Sequence, residues 1–198
     1  MPKKASTTTG PETEILKFAS QSAWAEWLAQ HHANSPGVFI QVAKSGSGHP
    51  SVTCPEALDV ALCYGWIDSL RRGLDAEWFL QKYGPRKSAS LWSKINCDKV
   101  QSLIDQGLMQ PSGFAAIEVA RKNGRWESAY EGPSKIAVPP DLQAELDRRP
   151  EAAAFFAKLK SQNRFAILFR LQTARKPETR LARLEKFIGM LERGETIY

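Results

Sequence analysis

The sequence predicts an α+β fold, predominantly helical, with a small antiparallel sheet in its N-terminal half covered by helices and a helical last third. Three observations carry this. Apolar residues recur with a helical period in several segments, short β-branched and aromatic runs are confined to residues 38–83, and helix-start signals crowd the chain after residue 140. A chain of 198 residues supports one well-cored domain with a helical extension. The expected organisation is a disordered tail over 1–13, an α+β core over 14–132 and a helical extension over 133–198 packed on that core, one domain overall.

Each element has a local cause. Ser20 caps a first helix in which Trp24, Trp27, Leu28 and His31 share one face, and Asn34-Ser35-Pro36-Gly37 stops it. Val38-Phe39-Ile40-Gln41-Val42 reads as a strand. Thr53-Cys54-Pro55-Glu56 is a capping box, in which the Thr hydroxyl and the Glu carboxylate each bond the other residue's amide. The helix it opens is expected to end at Gly65-Trp66-Ile67-Asp68-Ser69. Two strands follow, Ser69–Arg72 and Glu77–Leu80, turning at Gly73-Leu74-Asp75-Ala76. With 38–42 they make a three-stranded antiparallel sheet. Asn96 is the expected cap of a helix through Val100, Leu103 and Ile104, and Pro111 or Ser112 starts the next. Later helices start near Asp141, at Pro150, near Ser161 and at Pro177, the last with a stripe of Leu181, Leu184, Ile188 and Leu191.

Composition narrows the function classes. The longest apolar stretch, Val60 to Ile67, is far short of the roughly 20 residues of a spanning helix, and the N-terminal residues lack the apolar run of a secretory signal. Cys54, Cys63 and Cys97 have no C-x-x-C spacing, which predicts free thiols in a cytoplasmic protein; neither a metal site nor a cofactor is expected. The net charge of +6 is concentrated between Lys158 and Lys186, where nine basic residues face two acidic ones. That excess favours anionic partners, with weak, non-specific nucleic-acid binding as one alternative and a solvated helix face as the plainer reading.

No G-x-S-x-G, H-E-x-x-H or G-x-G-x-x-G motif occurs, so the sequence leaves open whether the protein is an enzyme. The stretch from Gly65 to Asn96 gathers the candidate site. Asp68, placed at a helix's negative pole, calls for a compensating cation, and Arg86 is the candidate, its planar fork suited to a carboxylate or an anionic ligand. Ser90, Ser93 and Asn96 supply hydrogen bonds, and Trp66 and Trp92 supply apolar walls. The plainer alternative is a buried Asp68–Arg86 ion pair with capping serines and core tryptophans. Under the functional reading the site binds a small anionic ligand. An enzymatic variant has Arg86 clamp the anion and Asp68 act as general base.

Several motifs in series resemble one family. Gly65-Trp66-Ile67-Asp68, Pro85-Arg86, Ser90-Leu91-Trp92-Ser93-Lys94-x-Asn96, Leu103-Ile104-x-x-Gly107-x-Met109, Gly113 and Gly124-Arg125-Trp126 resemble the bacterial YdeI/OmpD-associated, or bacteriocin-protection, family. Ala174-Arg175-Lys176-Pro177-Glu178-Thr179-Arg180 resembles its A-[KR]-x-P-x-T-R element. The chain departs from the pattern at Leu108, where the family has Arg, and at Tyr83-Gly84 before Pro-Arg. The resemblance implies a cytoplasmic ligand-binding or accessory protein associated with envelope stress or with tolerance of bacteriocins and antimicrobial peptides. It implies no particular reaction.

Overall fold

The computed structural model describes residues 14–198, so the expected tail over 1–13 lies outside the described residues. The elements run β1 (Ile15–Lys17), α1 (Gln21–His31), β2 (Val38–Ala43), α2 (Cys54–Cys63), β3 (Trp66–Gly73), β4 (Trp78–Pro85), α3 (Lys94–Asp105), α4 (Pro111–Lys122), α5 (Pro140–Asp147), α6 (Pro150–Lys158), α7 (Ser161–Gln172) and α8 (Pro177–Glu192). The fold is α+β and rich in helix. The described residues divide into two compact units: one comprises residues 14–90 together with Asp98–Trp126, the other Leu91–Cys97 together with Glu127–Tyr198.

The first unit holds a four-stranded sheet in the order β1-β2-β4-β3. The three expected strands pair antiparallel, β2 with β4 and β4 with β3. The fourth, β1, pairs in parallel with β2 and makes the sheet mixed. Three residues are too few for a period to show in sequence. The amide of Phe39 on the carbonyl of Glu14 and that of Val52 on Phe18 hold the segment in place.

One face of the sheet carries the core of this unit, where Trp24 lies among Phe18, Trp27, Trp66 and Tyr83. Buried indoles need partners for their N–H groups. That of Trp24 donates to the Ala57 carbonyl at 3.0 Å, joining α1 to α2, and that of Trp66 donates to the His32 carbonyl at 3.2 Å. The Thr53–Glu56 capping box forms as expected. Gly113 lets α4 start directly against the end of α2, since a Cβ there would lie 2.2 Å from the Cys63 carbonyl oxygen.

Three expectations are corrected. First, α2 stops at Cys63, and Gly65, in the left-handed region at φ 74°, turns the chain straight into β3. Asp68 therefore lies inside a strand, and the helix-pole argument does not apply to it. Second, α3 starts at Lys94 and Ser93 caps it: its Oγ accepts the Asn96 amide at 3.1 Å, so Asn96 belongs to the first turn. Third, Leu181 is 57% exposed, and α8 buries Leu184, Phe187, Ile188 and Leu191 instead.

The second unit is helical. Proline opens α5, α6 and α8, where its missing N–H costs nothing and its fixed φ suits a helix. Leu142, Leu146, Phe156, Leu168, Leu171 and Leu191 are among the residues of its core.

Candidate functional site

The site is built on an irregularity of β3. The register pairs Asp68 with Tyr83 and Arg71 with Gln81, so three steps along β3 match two along β4. In a regular strand Asp68 and Arg71 would point to opposite faces. The extra residue of this bulge turns both to the inner face, beside Gln81 and Tyr83 and towards the start of α2.

Contacts made there are specific. The Arg71 Nε donates to Gln81 Oε1 at 3.0 Å, its Nη2 lies 3.2 Å from Cys54 Sγ, and its guanidinium carbon sits 4.6 Å from the Phe79 ring centre. Gln81 is buried and donates to the Leu70 carbonyl in the bulge at 3.4 Å. The buried Tyr83 hydroxyl donates to the Cys54 carbonyl at 3.4 Å. Burial pushes the Tyr83 phenol and the Cys54 thiol up, the latter against the opposing pull of Arg71.

Arg86 returns the chain to the same place. Its amide donates to the Gly65 carbonyl at 3.0 Å, next to the residue that opens β3. The Nε and Nη2 of its guanidinium are closed to solvent. Its charge acts on Asp68. Burial raises the half-buried Asp68 carboxyl above the ordinary carboxylate range, while a backbone hydrogen bond and the charges of Arg86 and Arg71 pull it back only in part. The carboxyl thus lies within electrostatic reach of two guanidinium groups, and groups of these kinds are the ones that bind anions and move protons.

The other candidate residues have local structural roles. Trp66 is interior, in the aromatic core of the first unit. Ser90 closes a turn: its Oγ accepts the Lys87 amide at 3.0 Å. Trp92, Ser93 and Asn96 fall in the second unit, where Trp92 is buried, its carbonyl accepts the Tyr130 amide at 3.0 Å, and Ser93 caps α3. Sequence reasoning did not include Arg71, Gln81, Tyr83 and Cys54, which the structure gathers beside Asp68. Arg71 was hidden because strict alternation assigns it to the face opposite Asp68.

The basic segment after Lys158 is partly committed to structure. Arg180 grips Asp141 with two bonds, Nε to Oδ2 at 2.7 Å and Nη2 to Oδ1 at 2.8 Å, and donates Nη1 to the Leu171 carbonyl at 2.7 Å. Arg183 donates to the Arg170 carbonyl, Arg170 to the Tyr198 hydroxyl, and Arg164 lies over Phe156. Among the described residues no cluster of His, Cys, Asp and Glu is able to hold a metal, and no helix is long and apolar enough to cross a membrane. Cys63, pushed up to about 11 by burial and by Asp59, is a neutral thiol at pH 7.

Comparison with known families divides the chain much as its architecture does. Residues 16–116 match the family described as a domain of unknown function (DUF8412), and residues 135–194 match the family described as bacteriocin-protection, YdeI or OmpD-associated. No curated protein and no solved structure matches the chain.

Proposed function

We infer the function of this chain from its membership of the family described as a domain of unknown function (DUF8412), matched over half its length, and from the match of its C-terminal helices to the bacteriocin-protection, YdeI or OmpD-associated family. From that premise we propose that it is a ligand-binding protein whose first unit takes up a small anionic molecule beside Asp68, Arg71 and Arg86. One observation carries the reading: the β3 bulge places Arg71 on the same face as Asp68, where Arg86 also acts on that carboxyl. A charge-neutralising pair needs one arginine. Arg71, exposed and bonded only to the neutral groups of Gln81 and Cys54, is the cation that a small anion would meet beside that carboxyl.

A second reading, an enzyme acting on the same anion, is favoured by the raised pKa of Asp68. A carboxyl so poised serves as general acid or base nearer neutral pH than an ordinary one. The cytoplasmic location is supported by three cysteines without disulfide pairing. A role in tolerance of bacteriocins, antimicrobial peptides or envelope stress is supported by the family description of the C-terminal helices.

The test is a thermal-shift screen with phosphate, small carboxylates and phosphorylated metabolites on the wild type, Arg71→Ala and Arg86→Lys. A ligand at 100 times its Kd should stabilise the native state by about 2.7 kcal/mol. The reading expects such a shift in the wild type and its loss in Arg71→Ala, whose side chain is exposed and removable without opening the core. No shift with any anion, or an equal shift in Arg71→Ala, would contradict it. Turnover of the bound anion that Asp68→Asn abolishes, with binding kept, would select the enzymatic reading.

A further inference from the structure

The face of the sheet opposite the candidate site has a character of its own. From the register, Ile15 and Lys17 on β1, Phe39 and Gln41 on β2, Trp78, Leu80 and Lys82 on β4, and Arg72 on β3 all point to this outer face. Three cations stand among these positions and no carboxylate. Each cation lies over a ring: the Lys17 Nζ is 3.6 Å from the Trp78 ring centre, and the Arg72 guanidinium carbon and Lys82 Nζ are 5.1 and 5.6 Å from that of Phe39. The rings are buried beneath them, while Lys17 and Arg72 are exposed. The imidazole of His49 stacks on Trp78 and is bonded to Glu77, the acid beside this face.

We propose that this outer face binds single-stranded nucleic acid, with Lys17, Arg72 and Lys82 on the phosphates and bases lying against Arg72 and the Phe39 and Trp78 rings. The occupant follows from charge and shape together. Three cations with no acid among them complement a polyanion. A twisted but broad sheet gives planar groups room to lie flat. Stacking on aromatic rings and on guanidinium planes is how single strands are held without sequence preference. An ammonium that rests on a ring by electrostatic attraction moves aside for a phosphate and uncovers the ring for a base. A lipid surface would call for apolar side chains projecting beyond the cations. Among these outer-face residues only Ile15, at the β1 edge and 55% exposed, is a large apolar side chain left open. The residues of this surface differ from those of the anion site and from those of the basic C-terminal segment, so each is tested by different variants.

The experiment is a fluorescence-anisotropy titration of the full chain with a labelled oligothymidylate of about ten nucleotides, within the usual span for one such sheet. Three neutralised phosphates on a single strand give a slope of log Kobs against log salt of about −2, at roughly −0.7 for each. Affinity should therefore fall about 16-fold between 50 and 200 mM salt. The variants Lys17→Gln, Arg72→Gln and Lys82→Gln should each flatten the slope by about 0.7, while Lys158→Gln and Lys186→Gln leave it unchanged. Absence of binding at 20 mM salt would overturn the proposal. So would a slope that survives the triple variant, shown by circular dichroism to be folded. Binding to phosphatidylserine vesicles through these cations, without binding to the oligonucleotide, would overturn it too.

Discussion

Asp141 and Asp68 are both carboxylates beside arginine, and they behave in opposite ways. In the second unit the Arg180 fork meets Asp141 with both oxygens engaged, and its third nitrogen, Nη1, donates to the Leu171 carbonyl. Hydrogen bonding to Arg180 holds the Asp141 carboxyl below the ordinary carboxylate range. In the first unit Asp68 feels both Arg86 and Arg71, yet burial wins and its carboxyl is raised. At Asp141 hydrogen bonding to Arg180 outweighs burial, and at Asp68 burial outweighs the nearby charges. The Asp141 arrangement ties the starts of α5 and α8 to the end of α7. The Asp68 carboxyl, raised instead of lowered, is the kind of perturbed group that clusters at functional sites.

The largest expected effect lies on the structural side. Arg180→Ala removes two charge-assisted bonds to Asp141 and one to Leu171, and should cost about 2 kcal/mol in urea denaturation. Both side chains are about one-third exposed, so solvent screening keeps the loss below that of a fully buried pair. A loss under about 0.5 kcal/mol would make this pair an ordinary surface contact and erase the contrast.

Removal of the capping box is the next largest. Thr53→Ala frees the Glu56 amide and should cost about 1 kcal/mol by the same measurement. Since α2 starts at Cys54, against Arg71 and Tyr83, the variant should also weaken any anion binding at the inner face. Loss of stability with unaltered binding would separate the helix start from the site.

The smallest effect is expected at Asp68 itself. A raised folded pKa stabilises the protein below the ordinary carboxylate value of about 3.9, and that contribution is lost as pH rises through the higher folded value. Asp68→Asn should thus leave stability at pH 7 within about 0.5 kcal/mol of wild type, or raise it, while any turnover disappears. Asp141→Asn should do the reverse. Its depressed pKa gives stability above about 3.9 that falls away as pH drops through the lower folded value. Tm measured against pH for both variants reads the two signs directly.

The same contrast explains what the sequence discloses. Features with a local cause were legible: the Ser20 cap, the Thr53–Glu56 box, the strand at 38–42 and the N1 prolines at 150 and 177 each follow from neighbouring residues. Features set by tertiary register were not. The strand at 15–17 exists through its pairing with Phe39, Ile40 and Gln41, and nothing in three residues announces it. The charge of Arg86 acts on Asp68, as a hairpin that returns the chain beside its start leads one to expect. Arg71 was missed because a one-residue bulge reverses the face that alternation assigns to it. Ser93 displaced Asn96 as the cap because either residue type serves, and only the backbone path selects between them.

The most direct test of the account is a carboxyl titration by carbon-detected NMR, with Asp68 and Asp141 assigned through their Asn variants. The account predicts that Asp68 titrates above the ordinary aspartate range and Asp141 below it, in the same molecule and the same titration. Asp68 titrating at or below the position of Asp141 would show a completed ion pair in the first unit. The inner face of the sheet would then hold a structural contact and no anion site.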